Sequence, residues 1–225
     1  MKKNFVLPIV IGVAAALFAG GALTADKLIT SKITSQVQAE LPKSTGISAS
    51  VPLSDLPSNL TSHKIRSADI KIEKFALKES NVKPTVVIAL TNISKSKPTL
   101  IGSLDVTATI PASTIISSTD FEGARIVGNA LQVPAGMGGL GQALLIPKYS
   151  SNNLYFELQS LTIFGNEIPA SSLPADIQSQ VKNKSLRTLN VPKGLKIKSV
   201  SLSPKGLAVN LRGNNIQLGN LGSSF

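Results

Sequence analysis

The sequence predicts an α+β protein in which a mostly antiparallel sheet of short strands dominates and helices are few. Three observations lead to this fold class. Many short segments alternate apolar and polar residues, which is the period of a half-buried strand. Residues that favour turns separate these segments. The sequence also lacks the strand–helix–strand alternation that marks a parallel sheet. With 225 residues, of which 42% are hydrophobic, the chain is long enough for one folded domain and a targeting segment.

The chain begins with a basic start and a long apolar stretch. Lys2 and Lys3 precede 19 uncharged residues, from Phe5 to Leu23. As a helix this stretch would be about 28 Å long, close to the thickness of the hydrocarbon core of a bilayer. We assign residues 1–24 to a membrane helix that is either an uncleaved anchor or a cleaved signal peptide. Both interpretations leave the two lysines inside and export the remainder to the outer face of the membrane or a periplasm-like space.

A second helical pattern runs from Asp26 to Leu41, with apolar residues on one side. We assign residues 25–46 to a juxtamembrane amphipathic helix. This helix is either the first helix of the folded domain or a stalk that lies along the membrane surface. Residues 47–222 are predicted to form the main folded domain, whose function is inferred from the features below.

The folded domain is predicted to begin with three strands and a short helix. Ile70–Leu77 and Val82–Ile93 flank turn residues, and the first shifts its alternation near Lys74. Leu104–Ile110 alternates more regularly, and Pro111–Ser118 is predicted to be a short helix with proline near its first turn.

Four further short strands and a helix are predicted next. The strands are Ala124–Val133, Gln142–Ile146, Tyr149–Phe156 and Leu158–Phe164. The helix begins near Ser171 and ends near Leu186. Ser172 is its candidate N-cap, and Asp176 is favourable in its first turn.

The C-terminal stretch from Val191 to Leu218 predicts an antiparallel meander with one apolar and one basic face. Apolar residues and lysines alternate from residue 195 to residue 198, and the phase shifts by one at Ser199, which indicates a bulge. Turns are predicted at residues 203–206 and 212–215. An apolar face beside a basic face suits a ligand that is apolar at one end and anionic at the other, as phospholipids are.

Charge and composition limit the classes of partner that the chain is expected to bind. The net charge is +11, and no acidic residue follows Asp176. This excess favours an anionic partner, although such cations also occur as an ordinary solvated surface. Aromatic residues make up 4% of the chain and Trp is absent, which argues against stacking on single-stranded nucleic acid. Without cysteine, neither a disulfide nor a thiolate metal site can form.

The sequence carries no pattern that indicates catalysis. Gly136–Gly141 has the G-x-G-x-x-G spelling, but the apolar run after it is stopped by Pro147, too early for the helix that a dinucleotide site needs. We interpret it as a flexible hairpin tip or a loop at a pocket mouth. His63 is the sole histidine, and the nucleophile elbow G-x-S-x-G is absent. We therefore expect no enzyme activity, no cofactor and no metal.

Three segments carry a resemblance to a known family: Gly102–Pro111, Val191–Leu195 and Lys205–Ile216. The last two contain P-x-G-L and then G-L-x-V-x-L-x-G-x-x-I. In these patterns, and in the order of its segments, the chain is similar over residues 48–218 to the LmeA-like phospholipid-binding family of actinobacterial cell envelopes. The resemblance implies an extracytoplasmic lipid-binding protein that serves envelope glycolipid synthesis. It also implies a curved sheet wrapped around a helix, as in tubular lipid-binding domains.

Together these features predict a non-enzymatic, membrane-associated protein that binds phospholipid or another anionic lipid. Its predicted partners are the membrane and membrane-bound envelope-synthesis enzymes. Nucleic acid is not a predicted partner. The predicted apolar lining is Val106, Ile110, Leu195, Ile197, Leu207 and Val209, and the predicted head-group residues are Arg187, Lys196 and Lys198. In the alternative interpretation, each lining residue is an ordinary core residue, and the chain is a structural or interaction module at the cell surface without a lipid pocket.

Overall fold

A computed structural model describes most of the chain from residue 43 onward and little before it. The described residues are 5–6, 31, 34–35, 37–39, 41, 43–52, 55, 64–75, 82–94, 100–117, 123–136 and 140–217. The predicted membrane helix at residues 1–24, apart from Phe5 and Val6, and His63 lie outside these ranges. Within them, no helix combines the length and the apolar character needed to cross a membrane.

The described N-terminal residues form a short strand and part of a helix. Phe5–Val6 is strand β1, which pairs with strand β11 (Arg187–Asn190). Residues 31, 34–35 and 37–39 are helical, as the amphipathic pattern predicts, and Val37 on its apolar side is fully buried. Phe5 and Val6 cannot pair with β11 while they form the first turn of a membrane helix, so the two arrangements exclude each other.

Contacts divide the chain into two compact units. Unit 1 comprises Met1–Phe5, Thr109–Leu189 and Ser199–Val209, and unit 2 comprises Val6–Ala108, Asn190–Lys198 and Asn210–Phe225. The predicted domain limits at residues 24, 46 and 222 stay predictions.

A six-stranded sheet has the strand order β12-β13-β5-β4-β3-β2. Its strands are β2 (Thr45–Ser50), β3 (Lys64–Lys74), β4 (Thr85–Ser94), β5 (Leu100–Pro111), β12 (Lys196–Ser203) and β13 (Gly206–Gln217). Strands β3, β4 and β5 are rich in β-branched residues and alternate buried and exposed positions, so one face of each is apolar. The fully buried side chains include Ile70, Ile88 and Leu104.

In four strands of unit 2 the alternation of buried and exposed residues shifts by one position, and the four shifts lie side by side in the sheet. At each shift two residues, instead of one, separate successive buried positions. The separating pairs are Arg66 and Ser67, Thr91 and Asn92, Gly102 and Ser103, and Asn214 and Asn215. Asn92 and Asn215 adopt positive φ angles of 53° and 52° there. Such irregularities increase the local twist of strands and bend a sheet.

A seven-stranded sheet has the order β1-β11-β9-β8-β7-β6, with β10 paired to β9. Its remaining strands are β6 (Arg125–Val127), β7 (Ala130–Ala135), β8 (Gly141–Ser150), β9 (Asn153–Ile163) and β10 (Asn166–Pro169). Helix α1 (Ala112–Ser117) follows β5, and a 3₁₀ turn at Ala170–Ser172 leads into helix α2 (Ala175–Ser185). Helix α2 packs on β9, where the Ser185 hydroxyl donates to the Phe156 carbonyl at 3.2 Å.

The structure confirms the antiparallel, sheet-dominated α+β class, both helices of the domain and the phase shift at Ser199. Strands β5, β8, β9 and β13 have 10–12 residues, so they are longer than predicted. Other predictions are wrong. Residues 124–133 contain a hairpin turn at residues 128–129, where Gly128 adopts a positive φ of 60°, and strand β13 continues through the turn predicted at residues 212–215. Residues 149–156 contain a hairpin turn at Ser151–Asn152, because Ser151 adopts a positive φ of 52°. The cap of α2 is Pro174, so Ser172 does not cap it.

Candidate functional site

The predicted lipid-lining residues lie on β5, on β13 and at the beginning of β12, which are adjacent in the six-stranded sheet. Five of the six are buried, and Ile110 is half-buried. These three strands contribute residues to both compact units, so the set divides into two groups. Unit 2 contains Val106, Leu195 and Ile197; unit 1 contains Ile110, Leu207 and Val209.

In unit 2, Leu195 packs over a glycine of the C-terminal strand. A Cβ atom at Gly213 would lie 2.7 Å from Leu195 Cδ2 and 2.6 Å from the Gly194 carbonyl oxygen. The space above Gly213 is therefore filled by the protein itself, since the Cδ1 atom of Ile216 also occupies it. Leu195 thus has a packing role that needs no ligand.

In unit 1, the turn between β12 and β13 approaches the end of β5 closely. The Ala112 N–H donates to the Lys205 carbonyl at 3.3 Å, and a Cβ at Gly206 would overlap the Ile110 carbonyl oxygen. Gly206 also has a φ of +134°, which L side chains rarely adopt. Glycine is therefore required here by the backbone, and Leu207 beside it is buried.

The opposite side of β5 and β13 carries a polar ladder in unit 2 that the sequence analysis did not single out. Asn210 Nδ2 donates to Thr107 Oγ1 at 2.9 Å, and Arg212 Nε lies 3.6 Å from Asp105 Oδ2. Because residue numbers rise on one strand as they fall on the other, these contacts also show that the two strands are antiparallel. Asn210 Oδ1 is buried and accepts no hydrogen bond. In the sequence, the signal for this ladder is the set of polar residues that alternate with the buried ones on β5 and β13. Their charge alone does not indicate that they pair with each other.

The three predicted head-group residues are all exposed, and they belong to different units. Arg187, in unit 1, donates from Nη1 to the carbonyl oxygens of Lys184 and Leu186 at 3.0 and 2.8 Å. It therefore satisfies carbonyls at the C-terminal end of α2, where a cation is favourable.

Lys196 and Lys198, in unit 2, are neighbours on the exposed side of β12. Strand β12 is the last strand in the order of its sheet. Lysines on an outer strand discourage pairing with another chain, so both residues have a structural role in addition to any contact with a head group.

A cation–π contact that the sequence did not predict lies on helix α2. Lys182 Nζ is 4.8 Å from the centre of the Tyr155 ring on β9, and Lys148 Nζ lies 3.8 Å from Glu157 Oε2 nearby. Exposed contacts of this kind contribute about 0.5–1 kcal/mol or less. The first contact joins helix α2 to β9, and the second joins the neighbouring strands β8 and β9.

One cavity of about 160 Å³ is lined entirely by described residues of unit 1. Arg125 Nε donates to Gln132 Oε1 at 2.6 Å, and Gln132 Nε2 donates to Gln142 Oε1 at 2.5 Å along its wall. This volume is below the range of about 300–1,000 Å³ that ligand pockets occupy, and none of the predicted lining residues contributes to it. The cavity is therefore not the predicted lipid slot.

Comparisons with protein-family models, with curated proteins and with solved structures gave no match. The structure nevertheless explains the pattern on which the family resemblance depends. Its glycines at 206 and 213 lie where a side chain would collide with the backbone, and its apolar positions 207, 209, 211 and 216 are all buried. The pattern therefore describes the packing of the β12–β13 region.

The glycine-rich segment joins two antiparallel strands, as expected for a hairpin loop. Ala135 on β7 pairs with Gly141 on β8. The dinucleotide site would need a helix after the glycines, and here a ten-residue strand follows. The pairing of the flanking strands fits the hairpin interpretation; residues 137–139 lie outside the described residues, and Leu140 beside them is strongly exposed.

Proposed function

We propose that this chain is an exported, membrane-associated protein of the cell envelope that binds phospholipid or a related anionic lipid without catalysing a reaction. The observation that carries the proposal is the two-sided character of the C-terminal strands. On β12, Ile197 and Leu202 are buried while Lys196 and Lys198 are exposed. Burying one methylene of an acyl chain contributes about 0.8 kcal/mol, so an apolar sheet face binds a lipid tail without a polar site.

The proposal includes the shape that the family resemblance implies, a curved sheet around a helix. The shifts of the buried face across β3, β4, β5 and β13 support curvature, because such shifts bend sheets. The complete burial of Val37 supports a helix with an apolar side against the protein. The N-terminal apolar stretch supports export and tethering, and the net charge of +11 supports attraction to anionic lipid, at about 1 kcal/mol per cation near such a surface. Service to membrane-bound envelope-synthesis enzymes is the biological role that we attach to this binding.

A second candidate function is a structural or interaction module with a filled interior. The packing of Leu195 and Ile216 over Gly213 favours it, because no guest fits where the protein's own side chains meet. The two functions differ in one measurable property, which is whether lipid accompanies the purified protein.

Native mass spectrometry of the full-length protein, released from detergent micelles, tests the proposal. We expect the mass of the chain plus one or more lipids, identified by fragmentation as anionic species. Val209→Phe, at a buried position of the predicted lining, would reduce lipid occupancy because the ring fills space beside the sheet face. Val87→Phe, at an exposed position of β4, is the matched control and would leave occupancy unchanged.

Circular dichroism of both variants separates loss of lipid from loss of fold, since overpacking a core costs about 1–3 kcal/mol. Wild-type protein that carries no lipid would refute the proposal and leave the structural module. Lipid that accompanies Val209→Phe at the wild-type level would refute the assignment of this face as the lining.

A further inference from the structure

Three large apolar side chains are exposed together at one end of the seven-stranded sheet in unit 1. They are Phe164, Leu140 and Ile163, which are 76%, 63% and 37% exposed. Ile163 pairs with Gly141, so the next residues in each direction, Phe164 and Leu140, lie opposite each other. We call these three residues the apolar tip.

Phe164 adopts a backbone conformation that favours other residue types, such as asparagine. Ile163 pairs with Asn166, which leaves Phe164 and Gly165 as a two-residue hairpin turn with φ angles of 48° and 81°. Positive φ at both positions favours Asn-Gly, and a bulky residue there is an uncommon and strained choice. Folding thus gains nothing from this phenyl ring, which is neither packed nor favoured by its backbone.

The hairpin turn at the other end of β9 carries no apolar side chain. Ser150 pairs with Asn153, and the turn between them is Ser151–Asn152, with a φ of 52° at Ser151. Both turn residues are polar and exposed. Both ends of β9 therefore carry two-residue turns, one polar and one aromatic, and of the two only the Phe164–Gly165 turn has positive φ at both positions.

We infer that the apolar tip inserts into the boundary between head groups and acyl chains of an anionic bilayer. The inference deepens the proposed function, on which it rests, by naming the part of the surface that enters the membrane.

Area favours a bilayer over a protein partner or a second copy of the chain. A phenylalanine offers about 150–250 Å², so the three partly exposed side chains of the tip present no more than about 400 Å². A stable protein interface buries about 800 Å² on each partner. Lipid, in contrast, needs no complementary shape, and a projecting hairpin is a suitable form for shallow insertion.

The net charge of +11 favours an anionic bilayer over a neutral one, although Lys148, Lys182 and Arg187 lie at the Ser151–Asn152 end of β9 and not at the tip. The described residues of unit 1 include six cations and three acids; the cations are Arg125, Lys148, Lys182, Lys184, Arg187 and Lys205, and the acids are Glu157, Glu167 and Asp176. Among these acids, Glu167 is closest along the chain to the tip; it pairs with Thr162, two residues before Phe164, which is about 7 Å along a strand. Insertion to about 5–10 Å therefore leaves Glu167 at the level of the head groups.

The chain has no tryptophan, so a single substitution gives a unique fluorescent probe. We would reconstitute full-length Phe164→Trp into vesicles of phosphatidylglycerol and phosphatidylcholine, with and without brominated acyl chains. Ser151→Trp, in the polar turn at the other end of β9, is the matched control. We expect a blue shift and loss of emission to bromolipid for the first protein, and neither for the second. Leu140→Trp is a second probe of the tip and should behave as Phe164→Trp does.

Three results would overturn the inference. Emission of both tip probes that is insensitive to bromolipid and fully quenched by iodide would show that the tip remains in water. Equal bromolipid quenching at residue 151 would show that the tip has no special position. A blue shift that appears without lipid and grows with protein concentration would assign the tip to a protein contact. Failure of the proposed function has a separate signature, because bound lipid is measured by mass and does not depend on these probes.

Discussion

Replacing Gly213 by alanine tests whether the C-terminal pattern is a packing motif. The added methyl group would lie 2.6 Å from the Gly194 carbonyl oxygen and 2.7 Å from Leu195 Cδ2. Both distances are below 3.0 Å, and the oxygen belongs to the backbone, so relief requires β13 or the segment before β12 to move. Overpacking of this kind costs about 1–3 kcal/mol. For a chain of this length each kcal/mol lowers the melting temperature by about 2–4 °C, so we expect a fall of about 2–12 °C.

Circular dichroism of the full-length protein in detergent is a suitable assay, since the absence of tryptophan limits intrinsic fluorescence. Asn214→Ala, at the next position and exposed, is the control and should change the free energy of unfolding by less than about 0.5 kcal/mol. Leu195→Ala should cost less in the Gly213→Ala background than in the wild type, with a coupling of about 0.5–3 kcal/mol, because it removes one of the collisions. A Gly213→Ala protein as stable as the wild type would refute the reasoning, as would an equal fall for Asn214→Ala.

Three further stability predictions use the same assay. Phe164→Asn should raise the melting temperature by about 2–4 °C, because it relieves about 1 kcal/mol of backbone strain in a turn that favours Asn-Gly; a fall would contradict the account of the tip. Leu211→Ala, at a fully buried position, should cost about 2–5 kcal/mol, whereas Leu100→Ala, at a 48% exposed one, should cost much less; equal costs would contradict the burial of the β13 face. Arg187→Gln should cost about 0.5–1 kcal/mol at low salt and less at high salt, because it removes a cation from the C-terminal carbonyls of α2; no loss at low salt would contradict that role.

Local alternation predicted much of this fold because a half-buried strand repeats every two residues whatever its partners are. The strand core at Leu104–Ile110 and the phase shift at Ser199 were visible in that way. The predicted turn at residues 212–215 is wrong for an instructive reason. Asparagine and glycine favour turns, but here β13 continues through them, and Asn215 with its φ of 52° only shifts the buried face by one residue. A propensity does not show whether a partner strand continues on the other side.

The candidate site was less predictable than the fold. Alternation correctly marks Leu207 and Val209 as facing inward, but it does not say whether their neighbours are side chains of the protein or a lipid tail. The same limit applies to Arg187 on β11, whose charge indicates a head group and whose contacts are carbonyl oxygens at the C-terminal end of helix α2. Phe164 was missed for the opposite reason. A single aromatic residue at the end of a strand has no periodic signal, and its significance depends on a backbone angle and an exposure that only the structure gives.

These residues suggest how to weigh evidence for function in this chain. Gly206, Gly213 and Leu195 are required by close packing, so their presence does not distinguish a lipid carrier from a solid module. A feature that the fold does not need carries more weight. Phe164 is such a feature, because both its exposure and its backbone conformation oppose stability. If Phe164→Asn is more stable and the tryptophan probe at the same position still enters lipid, stability has been given up at the tip for contact with the membrane. If the variant is more stable and the probe remains in water, the ring is only an unfavourable turn residue, and the evidence for membrane contact returns to the N-terminal stretch and the net charge.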